Sequence, residues 1–319
     1  MNIKKIILPL VVLSAAIVLA ACSPKEEKNG SSTSNSNKMT KINIGTMAAP
    51  DSAPLYVAYH KGYFKDEGID AKLTLFKDPN KRDAAAGAGQ IDASVVDFTS
   101  FTSYMRSKNK DWKLITQLTG RFGVAVPKDS KIKTIKDLKG KKVANSVHQV
   151  TTYYMYTLLK QNGMSQKDIK QVNVPQIPQR VEMIKNNQAA ATVLPQTFLT
   201  LAKVQGCRVL TVSKPSFQPT ALAAKGVLLK NKTVRTRFLR AYNKAVKDLN
   251  KHPKVLQTVL AKDLTMPKPV VALAPKEFPK YNDAKTPNLK TFKDILNYAN
   301  DEGFFTKKVN PVDYVVPVN

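Results

Sequence analysis

Residues 48–70 read AAPDSAPLYVAYHKGYFKDEGID, and this stretch decides the fold. It follows a β-type run at 41–45, and Pro50 and Pro54 make the chain turn before a helix can form. Asp51 or Ser52 can cap that helix. Pro54 is tolerated in its first turn, where the missing N–H would have had no intrahelical partner. Leu55, Tyr56, Ala58 and Tyr59 give a short amphipathic helix to Lys61, and Gly62 ends it. A strand that delivers a polar loop onto a helix N-terminus sets backbone donors at the carboxyl edge of a sheet, where α/β proteins hold ligands.

Working outward, strands and helices keep alternating. Strands are expected at 71–76, 93–96 and 114–118, with an alanine-rich helix at 81–88 and another from Ser100 or Thr102 to Met105. This βαβα rhythm implies a largely parallel sheet with helices on both faces. Residues 123–128 cross into a second lobe. There 141–144, the helix 150–161, the strand 172–174, the helix 179–186 and the strand 192–194 repeat the rhythm. A strand at 221–229 returns to the first lobe, followed by a long amphipathic helix at 233–250 and further helices at 253–262 and 289–300. One lobe of 41–122 plus 213–319 with an inserted lobe of 123–212 is a hinge-closure arrangement.

Toward the other end, a basic Met1–Lys5 precedes an almost continuously apolar 6–19, and Leu19-Ala20-Ala21-Cys22 closes it with small residues before a cysteine. The alternative to a cleaved leader is an uncleaved membrane anchor, but the apolar run is shorter than the roughly 18–20 residues a spanning helix needs. Residues 23–38 hold no large apolar side chain before Lys38 and read as a flexible tether. The leader is therefore assigned to 1–21 and the tether to 22–40. The formal charge is +28 at pH 7, and its lysines are scattered along every segment. Without a helix-turn-helix, zinc-finger or aromatic RNA-binding signature, that charge reads as a basic surface facing an anionic envelope, not a nucleic-acid site. Cys22 and Cys207 are the two cysteines; Cys207 opens a strand-like run and reads as a core residue. His60, His148 and His252 lack metal-type spacing, so no metal or cofactor is expected.

The order APLYVAYHKGYFKDEGID followed by AAAGAGQIDASVVD at 84–97, and DLKGKKVA at 137–144, resembles the solute-binding proteins of nitrate, sulfonate, taurine and thiamine-pyrimidine-precursor ABC importers. The resemblance covers nearly the whole mature chain. It implies a type 2 periplasmic-binding-protein-like α/β fold, each lobe a mostly parallel sheet flanked by helices, with a ligand cleft between. Leu-Ala-Ala-Cys resembles the bacterial lipobox, which implies acylation at Cys22 and attachment to the extracytoplasmic face of the cell membrane.

Strand-end loops of both lobes should meet in the cleft. The first lobe offers Thr46, Asp51, Ser52 and Tyr56, then Asp97, Phe98 and Thr99, then Arg121 as a candidate anion clamp. Asp97 and Phe98 could contact a ligand or be a helix cap with a buried ring. The second lobe offers Ser146, His148, Gln149 and Thr151 at a strand-to-helix junction suited to a carboxylate, sulfonate or phosphate. Capping alone also accounts for Ser146 and Thr151. Residues 191–196, with Leu194 and Gln196, resemble the family's cleft segment, although Leu194 stands where an aromatic often precedes the proline. Tyr153, Tyr154 and Tyr156 spread over more than one helix face and are expected to pack in the core.

These features lead to a monomeric, membrane-tethered binding lipoprotein that presents a small organic molecule, an organosulfonate or a pyrimidine, to an ABC permease without catalysis. The alternatives are a membrane-anchored receptor and an enzyme on the same fold, resembling a pyrimidine-precursor synthase.

Overall fold

The computed structural model describes residues 39–107 and 111–318. The leader, Cys22 and most of the tether lie outside the described residues. The first sheet begins with β1 (Thr40–Met47). Pro50–Ser52 forms a single 3-10 turn, and α1 (Ala53–His60) follows it. Lys61 closes α1, and Gly62 has φ 76°, a left-handed conformation that favours glycine. The helical turn α2 (Tyr63–Asp66) leads into β2 (Ile69–Phe76). Next come α3 (Pro79–Gly87), β3 (Ala93–Asp97), α4 (Phe98–Arg106) and β4 (Lys113–Gln117). Helix α4 is capped by Asp97, which accepts from the Ser100 N–H at 2.8 Å, so it starts earlier than Ser100 or Thr102.

The second sheet is built from β5 (Phe122–Val126), β6 (Lys142–Asn145), α5 (Val150–Gln161), β7 (Lys170–Asn173), α6 (Ile177–Lys185), β8 (Ala191–Pro195), α7 (Gln196–Val204) and β9 (Arg208–Val212). The chain then returns through β10 (Thr220–Ala224). The expected strand to 229 is shorter than read from sequence: Gly226, at φ 59°, breaks it, and the helical turn α8 (Val227–Lys230) follows. The remainder is helical: α9 (Lys232–Lys251), α10 (Pro253–Lys262), α11 (Lys268–Glu277) and α12 (Leu289–Asp301). Helix α11 had no sequence expectation, because Pro267, Pro269 and Pro275 mask its periodicity.

The two sheets share one plan. Their orders are β2-β1-β3-β10-β4 and β7-β6-β8-β5-β9. In each, three strands pair in parallel, as the βαβ rhythm requires, and two further pairings are antiparallel. The alternation therefore predicts more parallel pairing than exists. Strands β5 and β10 enter from the other sheet, so no crossover helix constrains their direction. Where the chain passes between sheets, Ser213 N–H donates to Phe122 O at 2.7 Å and Leu118 N–H to Thr220 O at 3.0 Å, holding the two crossing segments side by side.

Helix α9 buries Val234, Phe238, Leu239, Ala241, Tyr242, Ala245, Val246 and Leu249, an i, i+4, i+7, i+8 stripe. Phe238 meets Phe64 at 5.0 Å between ring centroids, fixing α2 against α9. Burying such a ring contributes about 1.5–3 kcal/mol. Tyr153 and Tyr154 are buried, with Tyr153 against Tyr298 and Tyr154 against Phe217. Cys207 is buried as a free thiol.

Candidate functional site

The facing edges of the two sheets enclose a cavity of about 510 Å³, its open mouth included. Strand ends supply most of its wall. From the first lobe come Met47 and Asp51 after β1, Val95, Val96 and Asp97 at the end of β3, and Thr220, paired opposite Asp97 at the start of β10. Helix α3 adds Pro79 and Arg82. The second lobe contributes Ser146 after β6, Gln149, Val150 and Thr151 at the start of α5, Ile177 and Arg180 on α6, and Phe122 opposite Pro195.

Four charged side chains face this space, and they differ in how well they are satisfied. Arg82 is 2% exposed; its Nε and Nη2 donate to Asp83 at 2.9 and 2.6 Å, and Nη1 donates to the Val95 carbonyl at 2.9 Å. Burial opposes its charge, but Asp83, Tyr104 and Asp97 together more than offset that and hold the guanidinium above its ordinary range. Asp97 accepts from Ser100 N and Oγ at 2.8 and 2.6 Å, and burial still raises its pKa.

Asp51 and Arg180 are not matched in this way. Asp51 is 4% exposed, its Oδ1 has no hydrogen-bond partner, and burial pushes its carboxyl up to about 7 against the pull of Arg82. Arg180 is 1% exposed. Its Nη1 donates to the Val174 carbonyl at 3.2 Å, while Nε has no partner. Burial lowers its pKa to about 10, with only Asp78 acting in the opposite direction. The hydroxyl of Ser146, on the same lobe as Arg180, is also without a partner. Buried polar groups are normally paired, and leaving a buried charge unpaired costs several kcal/mol. The cavity therefore presents the unmet donors of Arg180 and Ser146 from the second lobe and the Asp51 carboxylate from the first, between apolar walls. That is the chemistry of a small-molecule pocket.

Contacts between the lobes surround the cavity. The Ser100 hydroxyl, which donates to Asp97, also lies against Gln149 Oε1 of the second lobe. Thr197 Oγ1 donates to the Ala48 carbonyl at 2.8 Å, Thr200 Oγ1 to Glu277 at 2.7 Å, and Lys203 pairs with Glu277 at 2.5 Å. His148, at φ 57°, stacks on Phe304 with centroids 4.3 Å apart; burial, then the charge of Arg106, lowers its pKa.

Of the residues expected from sequence, Asp51, Asp97, Ser146, Gln149 and Thr151 line the cavity. Thr46 and Tyr56 instead bond one another at 2.8 Å, and Ser52 Oγ accepts from Met47 N–H at 3.1 Å. Phe98 and Leu194 are fully buried in cores, Phe98 against Phe292, and Thr99 is buried in α4. Gln196 donates to Thr200 at 3.2 Å. Arg121 sits half-buried between the sheets and is not on the cavity wall, because its position belongs to the crossing segment and not to a strand end. The arginines that do line the cavity, Arg82 and Arg180, escaped sequence reasoning. Each occupies a place in the buried stripe of its helix, with Ala85 and Ala86 in α3 and with Ile177, Val181 and Ile184 in α6. An arginine at such a position is the signal that could have found them. No group of three or more metal-ligating side chains is assembled among the described residues.

Residues 49–255 match the model of the family described as NMT1/THI5 like. A stretch of 169 residues is 31% identical to the "Probable ABC transporter extracellular-binding protein YckB" of Bacillus subtilis, covering 44% of this chain and 52% of that one. A stretch of 122 residues is 32% identical to the 4-amino-5-hydroxymethyl-2-methylpyrimidine phosphate synthase of Aspergillus parasiticus, covering 34% of this chain and 35% of that one. The chain thus spans about a third to a half of the length of these curated relatives. Among solved structures, the alkanesulfonate-binding protein SsuA of Xanthomonas axonopodis pv. citri, bound to MOPS, superposes with a TM-score of 0.75 over 87% of this chain and 98% of that one, at 15% identity. That likeness is one of fold: the chain has the two-lobed α/β architecture of periplasmic binding proteins.

Proposed function

The chain belongs to the NMT1/THI5-like family, and from that premise we propose that it is the solute-binding component of an ABC importer. It captures a small organic molecule between its lobes and presents it to a membrane permease. The observation that carries this reading is Arg180, a guanidinium 1% exposed, without a carboxylate partner, facing the interlobe cavity. An organic anion such as a sulfonate, or a pyrimidine bearing an acidic group, would supply the missing acceptor, while Met47, Val95, Val96, Phe122 and Ile177 cover its apolar part. Closure then needs no catalysis: solute that bridges the lobes favours the closed arrangement, which the permease recognises. The Leu19–Cys22 lipobox supports attachment through an acylated Cys22 on the extracytoplasmic face, with the domain acting as a monomer.

The similarity to a synthase favours one second reading, an enzyme acting on a pyrimidine in the same cavity. Mass spectrometry of the small molecules released by denaturing the purified protein separates the two. A single organic compound at near one-to-one stoichiometry, returned unchanged after incubation and absent from Arg180→Gln protein, is expected. Conversion of that compound would favour the enzyme; protein that carries and takes up nothing would overturn both.

A further inference from the structure

Helix α9 carries seven lysines and arginines against one acid, Asp248, and five of the cations fall in a single line. Arg237, Arg240, Lys244, Lys247 and Lys251 recur at i, i+3, i+7, i+10 and i+14, and all five are exposed. They lie on the face opposite the buried Phe238, Tyr242, Ala245 and Leu249, along about 21 Å of helix. Few counter-charges answer them. Asp248 accepts from the Tyr63 hydroxyl at 2.5 Å, and Glu67 pairs with Arg240 at 2.9 Å. Arg237, Lys244, Lys247 and Lys251 form no ion pair among the described residues. Like charges three and four apart on a helix repel, so folding alone does not account for this stripe.

The stripe begins where the chain from Cys22 enters the fold. The Thr40 N–H donates to the Gly68 carbonyl at 2.9 Å, and a Cβ added to Gly68 would lie 3.9 Å from Arg237 Nη1. The 17 residues 23–39 reach at most ~60 Å even when fully extended, so an acylated Cys22 keeps the stripe near the bilayer. We propose that this face of α9 is a docking surface for an anionic lipid bilayer, whose headgroup phosphates supply the missing counter-charges and set how the domain lies on the membrane. Its place beside a membrane rests on the tethering proposed above, whereas its contact with lipid needs no acyl group.

Residues 38–319 pack as one compact unit with apolar cores of its own, so the domain can be tested without the leader or Cys22. The test is sedimentation of this domain with vesicles of phosphatidylglycerol and phosphatidylcholine in equal parts, against vesicles of phosphatidylcholine alone, at low and high salt. Wild type should partition at least tenfold more strongly onto the anionic vesicles, and high salt should release it. Lys244→Gln/Lys247→Gln/Lys251→Gln should lose most of that binding, while Lys244→Arg/Lys247→Arg/Lys251→Arg should keep it. Lys131→Gln/Lys133→Gln/Lys136→Gln, which removes the same charge from exposed positions on the second lobe, should also keep it; melting curves establish that all three variants fold. Comparable binding of wild type to both kinds of vesicle, or an equal loss in the two glutamine variants, would overturn the stripe as a docking surface and leave solute capture and acylation of Cys22 standing. If the stripe variant keeps its vesicle binding and loses an oligonucleotide that wild type binds, the face takes nucleic acid and the lipid partner falls.

Discussion

Asp51 and Arg180 face one cavity from opposite lobes, each buried and each with a polar atom that no other side chain or backbone group satisfies. A folded chain that tolerates two such groups in one place has set aside stability for binding. The consequences can be measured.

Arg180→Met keeps most of the side-chain volume and removes the charge. It should weaken binding of an anionic solute by about 2–5 kcal/mol, the range for truncating one partner of a buried charge pair. The solute-free variant should melt no lower than wild type, since an unpaired buried charge is replaced by an apolar chain. Calorimetry and thermal melts check the two halves separately.

Asp51 makes the solute-free protein sensitive to pH. Its carboxyl rises from 3.8 to about 7 on folding, so the folded state keeps a proton that the unfolded chain has already released. Stability at this group therefore falls as pH rises from about 4 to about 7, and above that the full penalty applies. Arg82, Asp97, Tyr242, Tyr281 and Arg180 are the charged and titratable groups around it. Urea denaturation should find Asp51→Asn more stable than wild type at pH 8, by on the order of a few kcal/mol at ~1.4 per pKa unit, with the gap closing toward pH 4.

Glu277 joins the lobes through Thr200 at 2.7 Å and Lys203 at 2.5 Å. The Lys203 side chain is 56% exposed, so solvent screens most of that pair. Glu277→Ala should cost about 1 kcal/mol of closure free energy, seen as a several-fold higher Kd with the solute's contacts intact.

Gly123 packs where β5 meets α7: an added Cβ would lie 2.5 Å from Leu199 Cδ2 and 2.8 Å from the Thr211 carbonyl. Gly123→Ala should destabilise by about 1–3 kcal/mol, since backbone stands in the way. Gly87, with nothing within 4 Å of the added atom, is the control; Gly87→Ala should be neutral or stabilising by up to ~1 kcal/mol.

The alternation that was legible in the sequence is the part fixed by local periodicity. Helices 150–161 and 253–262 are found at those bounds, as α5 and α10, because their apolar spacing and flanking breakers act within a few residues. The antiparallel placement of β5 and β10 was not legible, since pairing between strands from distant parts of the chain leaves no local mark. The cavity was half legible for a similar reason. Asp51, Asp97 and Ser146 follow strand ends, which a motif reading finds. Arg82 and Arg180 reach the cavity from the buried stripes of helices, where a cation in a very basic chain is easily taken for solvent-facing surface. Arg121, singled out for its place beside a strand, belongs instead to the crossing between lobes.

If a solute held by Arg180 draws the two lobes together, solution scattering registers the contraction. Stripped wild-type protein should show a larger radius of gyration than the same protein saturated with the compound it releases on denaturation, while Arg180→Gln should stay at the larger value with or without that compound. One radius of gyration for stripped and saturated wild type, or contraction of Arg180→Gln equal to that of wild type, would contradict the account.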